Sequence, residues 1–160
     1  GDVDIEPVDL RDSVRAALAM MAPQLGKMSV RIQTILPSEP AIVQADPLRL
    51  EQIIVNLIRN ALDAVRGRDD KEIKILLVAT GETILLSIED NGIGLRDPDK
   101  LFEPFYTTKK PGEGLGLGLA ISAGFAAELG GRLVARNAPE GGAVFELILP
   151  RERGQAQAAE

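Results

Sequence analysis

The sequence predicts an α/β fold in which a mixed sheet is covered on one face by about three helices, forming a two-layer sandwich. Helical and strand patterns alternate along the chain, and two strand pairs are joined by hairpin-type turns. Of the 160 residues, 45% are hydrophobic, which is enough for a buried core. We expect one domain over residues 1–150 and a flexible polar tail over 151–160.

The first half of the chain predicts two helices separated by strands. Pro23 is expected to kink the first helix or to end it early, because proline removes a helical hydrogen bond. Asp46 is a good N-cap and Pro47 a good first residue for the second, longer helix. The elements predicted here are helix Asp9–Leu25, strand Met28–Leu36, strand Ala41–Gln44 and a helix from Pro47 to about Arg66.

The second half predicts two hairpins separated by a long loop and a helix. Thr80–Glu82 and Pro139–Gly142 have the composition of hairpin turns. The segment from Asn91 to about Gly114 is rich in Gly, Pro, Asp and Lys, and loops this long are usually functional or disordered. The elements predicted here are strands Glu72–Ala79 and Thr83–Asp90, helix Leu115–Leu129, and strands Arg132–Asn137 and Ala143–Leu149.

Composition excludes several classes of function. The chain has 24 acidic and 18 basic residues, a net charge of −6 that disfavours a nucleic-acid or anionic-membrane surface. It has no Cys and no His, which excludes disulfides, thiol chemistry, His-based triads and any phosphohistidine formed within the chain. No apolar run approaches the roughly 20 residues of a membrane span. Since the first residue is Gly1 rather than Met, we expect a fragment of a longer protein.

Asp90 is the first candidate site residue. It follows Ile84, Leu86 and Ile88 on the apolar face of a predicted strand. A carboxylate on that face needs a hydrogen-bond donor, because its burial is otherwise costly. The alternative is that Asp90 only caps the turn made by Asn91-Gly92.

A polar stripe on the second helix is the second candidate. Asn56 and Asn60 lie four residues apart and so share a helix face, flanked by Arg59 and Asp63. Asn is a poor residue for a helix interior, and amide oxygens can ligate a hard cation such as Mg²⁺. The alternative is that both amides are merely solvated.

The Gly-rich segment Gly112–Gly118 is the third candidate. Alternate glycines let the backbone approach a ligand closely, and the free N–H groups of a helix start attract an anion. The segment fits neither the P-loop nor the dinucleotide fingerprint, and the alternative is a flexible hinge. Lys109 and Lys110 precede it and could contact phosphate; the alternative is that both are ordinary solvated charges. The first candidate offers a carboxylate that can bind the amine of a base, the second offers amides that can ligate a metal, and the third can bind phosphate. Together, the three candidates predict a nucleotide site.

The ordered motifs over roughly residues 5–150 resemble the ATP-binding catalytic domain of sensor histidine kinases. These belong to the gyrase, heat-shock-90, histidine kinase and mismatch-repair ATPase superfamily. The N, G1, F and G2 boxes of that domain are matched by residues 56–64, 90–95, 101–109 and 114–121. The Thr-Thr-Lys and Gly-Glu-Gly-Leu-Gly-Leu-Gly forms are most similar to dicarboxylate-sensing and nitrogen-regulatory kinases. The resemblance implies a Bergerat-type fold that binds ATP and Mg²⁺.

The resemblance also implies a role for each matched residue. Asp90 would bind the exocyclic amine of adenine, and Phe102 and Phe105 would anchor a mobile lid. Asn56 and Asn60 would hold Mg²⁺. With Lys109, they form the implied catalytic set. The implied nucleotide-binding set is Asp90, Gly92, Gly94, Asn60, Lys109, Lys110, Gly114, Leu115, Gly116, Leu117 and Gly118.

Three features separate this chain from other members of the superfamily. Hydrolytic members place a Glu four residues before the metal-binding Asn, whereas Asn56 occupies that position here. Ala143-Val144 offers no side-chain hydroxyl near the adenine. The phosphoacceptor His of these kinases lies on a dimerisation helix that is absent here. The resemblance therefore implies a catalytic fragment that binds Mg-ATP and delivers its γ-phosphoryl group to another domain.

The implied partners are the dimerisation domain of the same kinase and a downstream response regulator, with no nucleic acid and no membrane contact by this fragment. The parent is expected to be a homodimeric inner-membrane sensor with this domain in the cytoplasm, while the fragment alone is compatible with a monomer. Two alternatives stay open. One is an ATP-hydrolysing or serine-kinase member of the superfamily, and the other is a non-enzymatic ATP-binding interaction module.

Overall fold

A five-stranded mixed sheet forms one layer of the protein, and three helices form the other. The computed structural model describes residues 3–104, 106 and 118–152. The strands of the large sheet are β2 (Arg31–Ile35), β4 (Glu72–Ala79), β5 (Thr83–Asp90), β6 (Arg132–Asn137) and β7 (Ala143–Pro150), in the order β2-β4-β5-β7-β6. Only β2 and β4 pair in parallel; the other neighbours are antiparallel. The predicted sandwich and both predicted hairpins are confirmed.

A two-stranded ribbon lies apart from the main sheet. It consists of β1 (Glu6–Asp9) and β3 (Ile42–Ala45), which pair in antiparallel register. Strand β1 is not predictable from local sequence, because its four residues include a proline and show no apolar alternation. Pairing with β3 makes this segment a strand. Further along the chain, the backbone N–H groups of Arg151 and Glu152 donate to carbonyls of Glu82 and Ile42, and residues 153–160 lie outside the described ranges.

Helix α1 (Leu10–Lys27) is longer than predicted at its C-terminal end. Asp9 is its N-cap, and the helix continues for four residues after Pro23, so the proline does not end it. The predicted strand start at Met28 is wrong, because Met28 caps the helix and its N–H donates to the Gln24 carbonyl. The strand β2 therefore begins at Arg31.

Helix α2 (Pro47–Val65) lies at the centre of the helical layer. As predicted, the Asp46 side chain caps it by accepting hydrogen bonds from the N–H groups of Leu48 and Arg49. The helix contacts both other helices and strands β4 and β5, which is why nine of its side chains are buried. These are Leu50, Ile53, Ile54, Val55, Leu57, Ile58, Ala61, Leu62 and Val65.

Helix α3 (Gly118–Glu128) completes the helical layer and packs on α2, β6 and β7. The helix was predicted from Leu115, but residues 107–117 lie outside the described ranges. Arg49 on α2 stacks on the Phe125 ring, 4.5 Å from its centroid, and pairs with Glu128 at 2.6 Å. Before this helix, Phe102 meets the core residue Phe145 edge-on, with ring centroids 6.5 Å apart.

Candidate functional site

Asp90 is buried at the end of β5, with 3% of its surface exposed. Its Oδ1 atom accepts the N–H of Gly92 at 2.8 Å and the N–H of Ala143 at 3.3 Å. Burial raises the pKa of Asp90 above its ordinary value, although these two hydrogen bonds counteract part of the increase, and the neighbouring Glu89 charge adds to it. Asp90 therefore caps the turn through its hydrogen bond with Gly92, as the alternative predicted, and its carboxylate is also desolvated.

Two backbone segments pack tightly around Asp90. Gly142, in the turn between β6 and β7, has φ +90°, and a Cβ atom added there would lie 1.9 Å from the Asp90 carbonyl oxygen. The next residue, Asn91, is held through its side chain, which accepts the Glu72 N–H and donates to the Asp70 carbonyl, both at 2.9 Å. The position of the carboxylate is thus determined by contacts from distant parts of the chain.

The loop after β5 lies directly against helix α2. The N–H of Ile93 donates to the Ala64 carbonyl at 3.1 Å, and a Cβ atom added at Gly92 would lie 2.2 Å from the same carbonyl oxygen. Ala64 lies one helical turn after Asn60. The structure therefore brings the loop that follows the buried carboxylate to the helix that carries the two amides.

Asn56 and Asn60 are half-buried on one face of α2, as predicted, and each side-chain nitrogen is used within the protein. Nδ2 of Asn56 donates to Ser122 Oγ on α3 at 3.1 Å, and Nδ2 of Asn60 donates to the Asn56 backbone carbonyl at 3.0 Å. Within the described part of the chain, neither Oδ1 atom is occupied by a hydrogen-bond donor. Amide oxygens are hard ligands, so these side chains fit a Mg²⁺ ion.

Gly118 brings the start of α3 against the amide of Asn56. A Cβ atom added at Gly118 would lie 2.8 Å from Asn56 Oδ1. The Gly-rich segment predicted to bind phosphate ends at this glycine, so its last residue lies beside the candidate metal ligand. The other predicted members of the segment and its neighbours lie outside the described residues. These are Phe105, Lys109, Lys110, Gly114, Leu115, Gly116 and Leu117.

Three residues that shape the site were missed in the sequence. Ser122 is buried on α3 and contacts Asn56, and Gly142 packs on Asp90. Asn137, at the end of β6, binds the backbone of the loop after β5 through its side chain. A polar residue on the inner face of the last helix and the Gly-Gly pair in the last hairpin were visible signals. Nothing local in the sequence marks Asn137.

A known protein family matches the part of the chain that contains this site. A family model described as histidine kinase-, DNA gyrase B-, and HSP90-like ATPase matches residues 45–153. The chain belongs to this ATPase family. The matched range contains α2, the loop after β5 and α3, which are the elements that form the candidate site of this ATPase domain.

Curated relatives of this ATPase domain are sensor kinases. It is 40% identical over 156 residues to the C4-dicarboxylate transport sensor protein DctB of Pseudomonas aeruginosa, covering 94% of this chain and 25% of that protein. It is 35% identical over 159 residues to the sensor histidine kinase MtrB of Mycolicibacterium paratuberculosis, covering 96% of this chain and 28% of that protein. The chain thus spans about a quarter of the length of these relatives.

Solved structures place the ATPase domain among histidine kinase catalytic domains. The nucleotide-free catalytic domain of histidine kinase ThkA matches with a TM-score of 0.82 at 26% identity, over 92% of this chain and 98% of that one. Full-length ShkA in complex with AMPPNP matches with a TM-score of 0.79 at 28% identity, over 94% of this chain and 32% of that one. The predicted resemblance to sensor histidine kinases is confirmed. Across the described ranges, no helix combines the length and apolar character needed to cross a bilayer.

Proposed function

We propose that this catalytic domain binds Mg-ATP between α2, the loop after β5 and the start of α3. The observation that carries this proposal is the environment of Asp90. Two backbone N–H groups hold its Oδ1 atom, which leaves Oδ2 to accept a hydrogen bond from the exocyclic amine of adenine. Because the carboxylate is desolvated, an amine donor in that position gains more than it would in water.

Asn56 and Asn60 would hold the Mg²⁺ ion that accompanies the nucleotide. In each side chain, the hydrogen bond donated by Nδ2 fixes the orientation of the amide, which leaves the Oδ1 atom free to bind a ligand. The ion, when bound, neutralises phosphate charge. Lys109, Lys110, Gly114, Leu115, Gly116, Leu117 and Gly118 would border the triphosphate, while Gly92 and Gly94 let the nucleotide pass close to the backbone.

The reaction we propose is transfer of the γ-phosphoryl group to a His on the dimerisation domain of the parent kinase. A bond forms between the imidazole nitrogen and the γ-phosphorus while the bond from that phosphorus to the β,γ-bridging oxygen breaks, and ADP leaves. Such transfers depend mainly on positioning and charge neutralisation. Hydrolysis is not favoured, because the amide of Asn56 cannot act as a general base towards water.

The proposed partners follow from the kinases of this fold. Histidine kinase ThkA has been solved in complex with the response regulator protein TrrA. We therefore propose that the parent of this domain is a homodimer with a dimerisation domain and a cognate response regulator. We place this domain on the cytoplasmic side of the inner membrane, without membrane or nucleic-acid contact of its own.

Calorimetry with a non-hydrolysable ATP analogue tests nucleotide and metal binding. We expect Asn60→Ala to weaken binding of the Mg-bound analogue about tenfold or more, while metal-free binding changes less than about twofold, because the lost oxygen is a metal ligand. Gln52→Ala, at an exposed position of the same helix, is the control and should leave both affinities unchanged. Equal losses with and without Mg²⁺ would argue against metal ligation by Asn60.

Phosphoryl transfer is tested by adding the dimerisation domain of the parent kinase and ATP. The expected product is an acid-labile phosphate on His of that domain, with negligible phosphate release by this chain alone. Rapid, steady phosphate release would instead show a hydrolase. Failure to bind any adenine nucleotide would support an interaction module.

A further inference from the structure

Asn137 clamps the loop that follows the buried carboxylate. It lies at the end of β6, and its Oδ1 accepts the Leu95 N–H at 2.6 Å while its Nδ2 donates to the Leu95 carbonyl at 3.1 Å. The two residues are 42 positions apart in the chain. One side-chain amide therefore satisfies both backbone polar groups of one residue, which requires a donor and an acceptor on the same planar group.

Gly94 allows the loop backbone to approach the side chain of Asn137 closely. Its φ is +80°, and a Cβ atom added there would lie 3.0 Å from Asn137 Oδ1. A side chain at this position would be strained and would push against the clamping amide. The half-buried Leu95 packs on the edge of the core. The loop conformation and the clamp are thus matched to each other.

Three tethers hold three of the four residues of this loop, each to a different element. Gly92 donates to the carboxylate at the end of β5, Ile93 donates to a carbonyl of α2, and Leu95 is held by Asn137. The first tether uses Asp90, which belongs to the proposed nucleotide site, and the second uses a backbone carbonyl of α2. Only the third comes from a side chain outside the proposed ligand-binding set, and that side chain is exposed rather than part of the core.

We propose that Asn137 is a positioning residue for nucleotide binding, which keeps the loop Gly92–Leu95 in its binding-competent conformation. This inference rests on the proposed function. Without the clamp the loop samples other conformations, and the apparent dissociation constant rises by the inverse of the competent fraction. The core does not depend on this side chain, so the fold remains.

Two substitutions test the clamp by calorimetry with a non-hydrolysable ATP analogue and with adenosine. Asn137→Ala removes donor and acceptor, and we expect both ligands to bind about tenfold more weakly at every pH. Asn137→Asp keeps the acceptor but faces the Leu95 carbonyl with a carboxylate. A protonated carboxyl is again donor and acceptor, so the variant-to-parent ratio of dissociation constants should fall towards one as the pH is lowered below about 4.

Taking the ratio of the dissociation constants of variant and parent cancels the effect of Asp90 titration, because both proteins contain Asp90. Using adenosine, which is uncharged, excludes repulsion between the introduced carboxylate and the phosphates of the nucleotide. Gln33→Ala, an exposed amide on β2, is the control and should bind like the parent. Binding by Asn137→Ala within twofold of the parent overturns the inference, as does a variant that is unfolded at the assay temperature. A parent that binds no nucleotide overturns the proposed function instead, and this inference with it.

Discussion

Asp90 is the residue at which ligand binding and stability oppose each other. Its carboxyl group is buried, and burial raises its pKa, so this position favours the protonated form over the ionised form. The two backbone N–H groups on Oδ1 offset part of this cost. A residue selected only for stability would be uncharged here, which supports a role in binding.

We therefore expect Asp90→Asn to abolish tight nucleotide binding without destabilising the nucleotide-free domain at pH 7. The amide keeps an acceptor for Gly92 and Ala143 but presents a donor to the adenine amine, so affinity should fall about tenfold or more. Calorimetry measures the affinity and urea unfolding the stability. Asp12→Asn, at an exposed position of α1 outside the proposed site, serves as the matched control.

The pH dependence of that comparison has a definite sign. Because the pKa of Asp90 is raised on folding, its contribution favours the folded state below the ordinary carboxyl pKa and is lost as the pH rises through the raised pKa. The stability of Asp90→Asn relative to the parent should therefore increase from about pH 3 to pH 7. A relative stability that decreases over this range would contradict the burial argument.

The hairpin of β6 and β7 is the element that completes the site around the carboxylate. Its turn glycine Gly142 combines a positive φ with the close approach to the Asp90 carbonyl, whereas the neighbouring Gly141, at φ +107°, has nothing within 4 Å of an added Cβ. A comparison of substitutions at the two glycines therefore distinguishes backbone strain, which both positions share, from the steric contact with Asp90, which Gly142 makes and Gly141 does not.

Gly142→Ala should lower the free energy of unfolding by at least about 2 kcal/mol and weaken nucleotide binding as well, because the turn must move away from Asp90. Gly141→Ala should cost only about 1 kcal/mol through backbone strain and leave affinity unchanged. Urea unfolding and calorimetry on both variants provide the measurement. Equal effects of the two substitutions would show that the contact with Asp90 has no role.

At the scale of the whole molecule, the ribbon of β1 and β3 is joined to the helical layer by Asp9, which caps helix α1 and forms an ion pair with Arg11. Asp9 caps α1, accepts the Ala41 N–H at 3.2 Å and pairs with Arg11 at 2.8 Å; Arg11 also donates to the Ser38 carbonyl at 2.9 Å. Burial alone would raise the pKa of Asp9, but the hydrogen bonds from Arg11 and Ala41, with the Arg11 charge, together lower it.

This arrangement predicts a loss of stability in acid. A carboxyl pKa that is lowered on folding contributes stability above its ordinary value of 3.8, and this is lost as the pH falls through the folded pKa. Asp9→Asn keeps the helix cap but loses the ion pair, so it should cost about 1 kcal/mol at pH 7 and less at pH 3. Urea unfolding at both pH values measures this, with Asp12→Asn as the control. A cost independent of pH would contradict the ion-pair argument.

Several elements were predictable because their signals are local. The cap and proline at the start of α2, the turn between β4 and β5, and the apolar alternation that ends in Asp90 each involve a few neighbouring residues. The start of β2 was predicted too early because the residues that end helix α1 continue the apolar alternation of the strand. Their backbone is not extended, since Ser29 has a φ of +55°. The strand β1 was missed because its partner, β3, lies more than thirty residues away.

By itself, the sequence determined the three helices, most of the strands and the order of the ATP-binding motifs, since caps, spacing and turn residues act over short distances. Tertiary structure alone decided that β2 pairs in parallel with β4, that the last hairpin packs on Asp90 and that Asn137 reaches Leu95. The Asp90–Ala143 and Leu95–Asn137 contacts join residues 53 and 42 positions apart. Such contacts depend on how whole layers pack, and no local pattern of residue types records that packing.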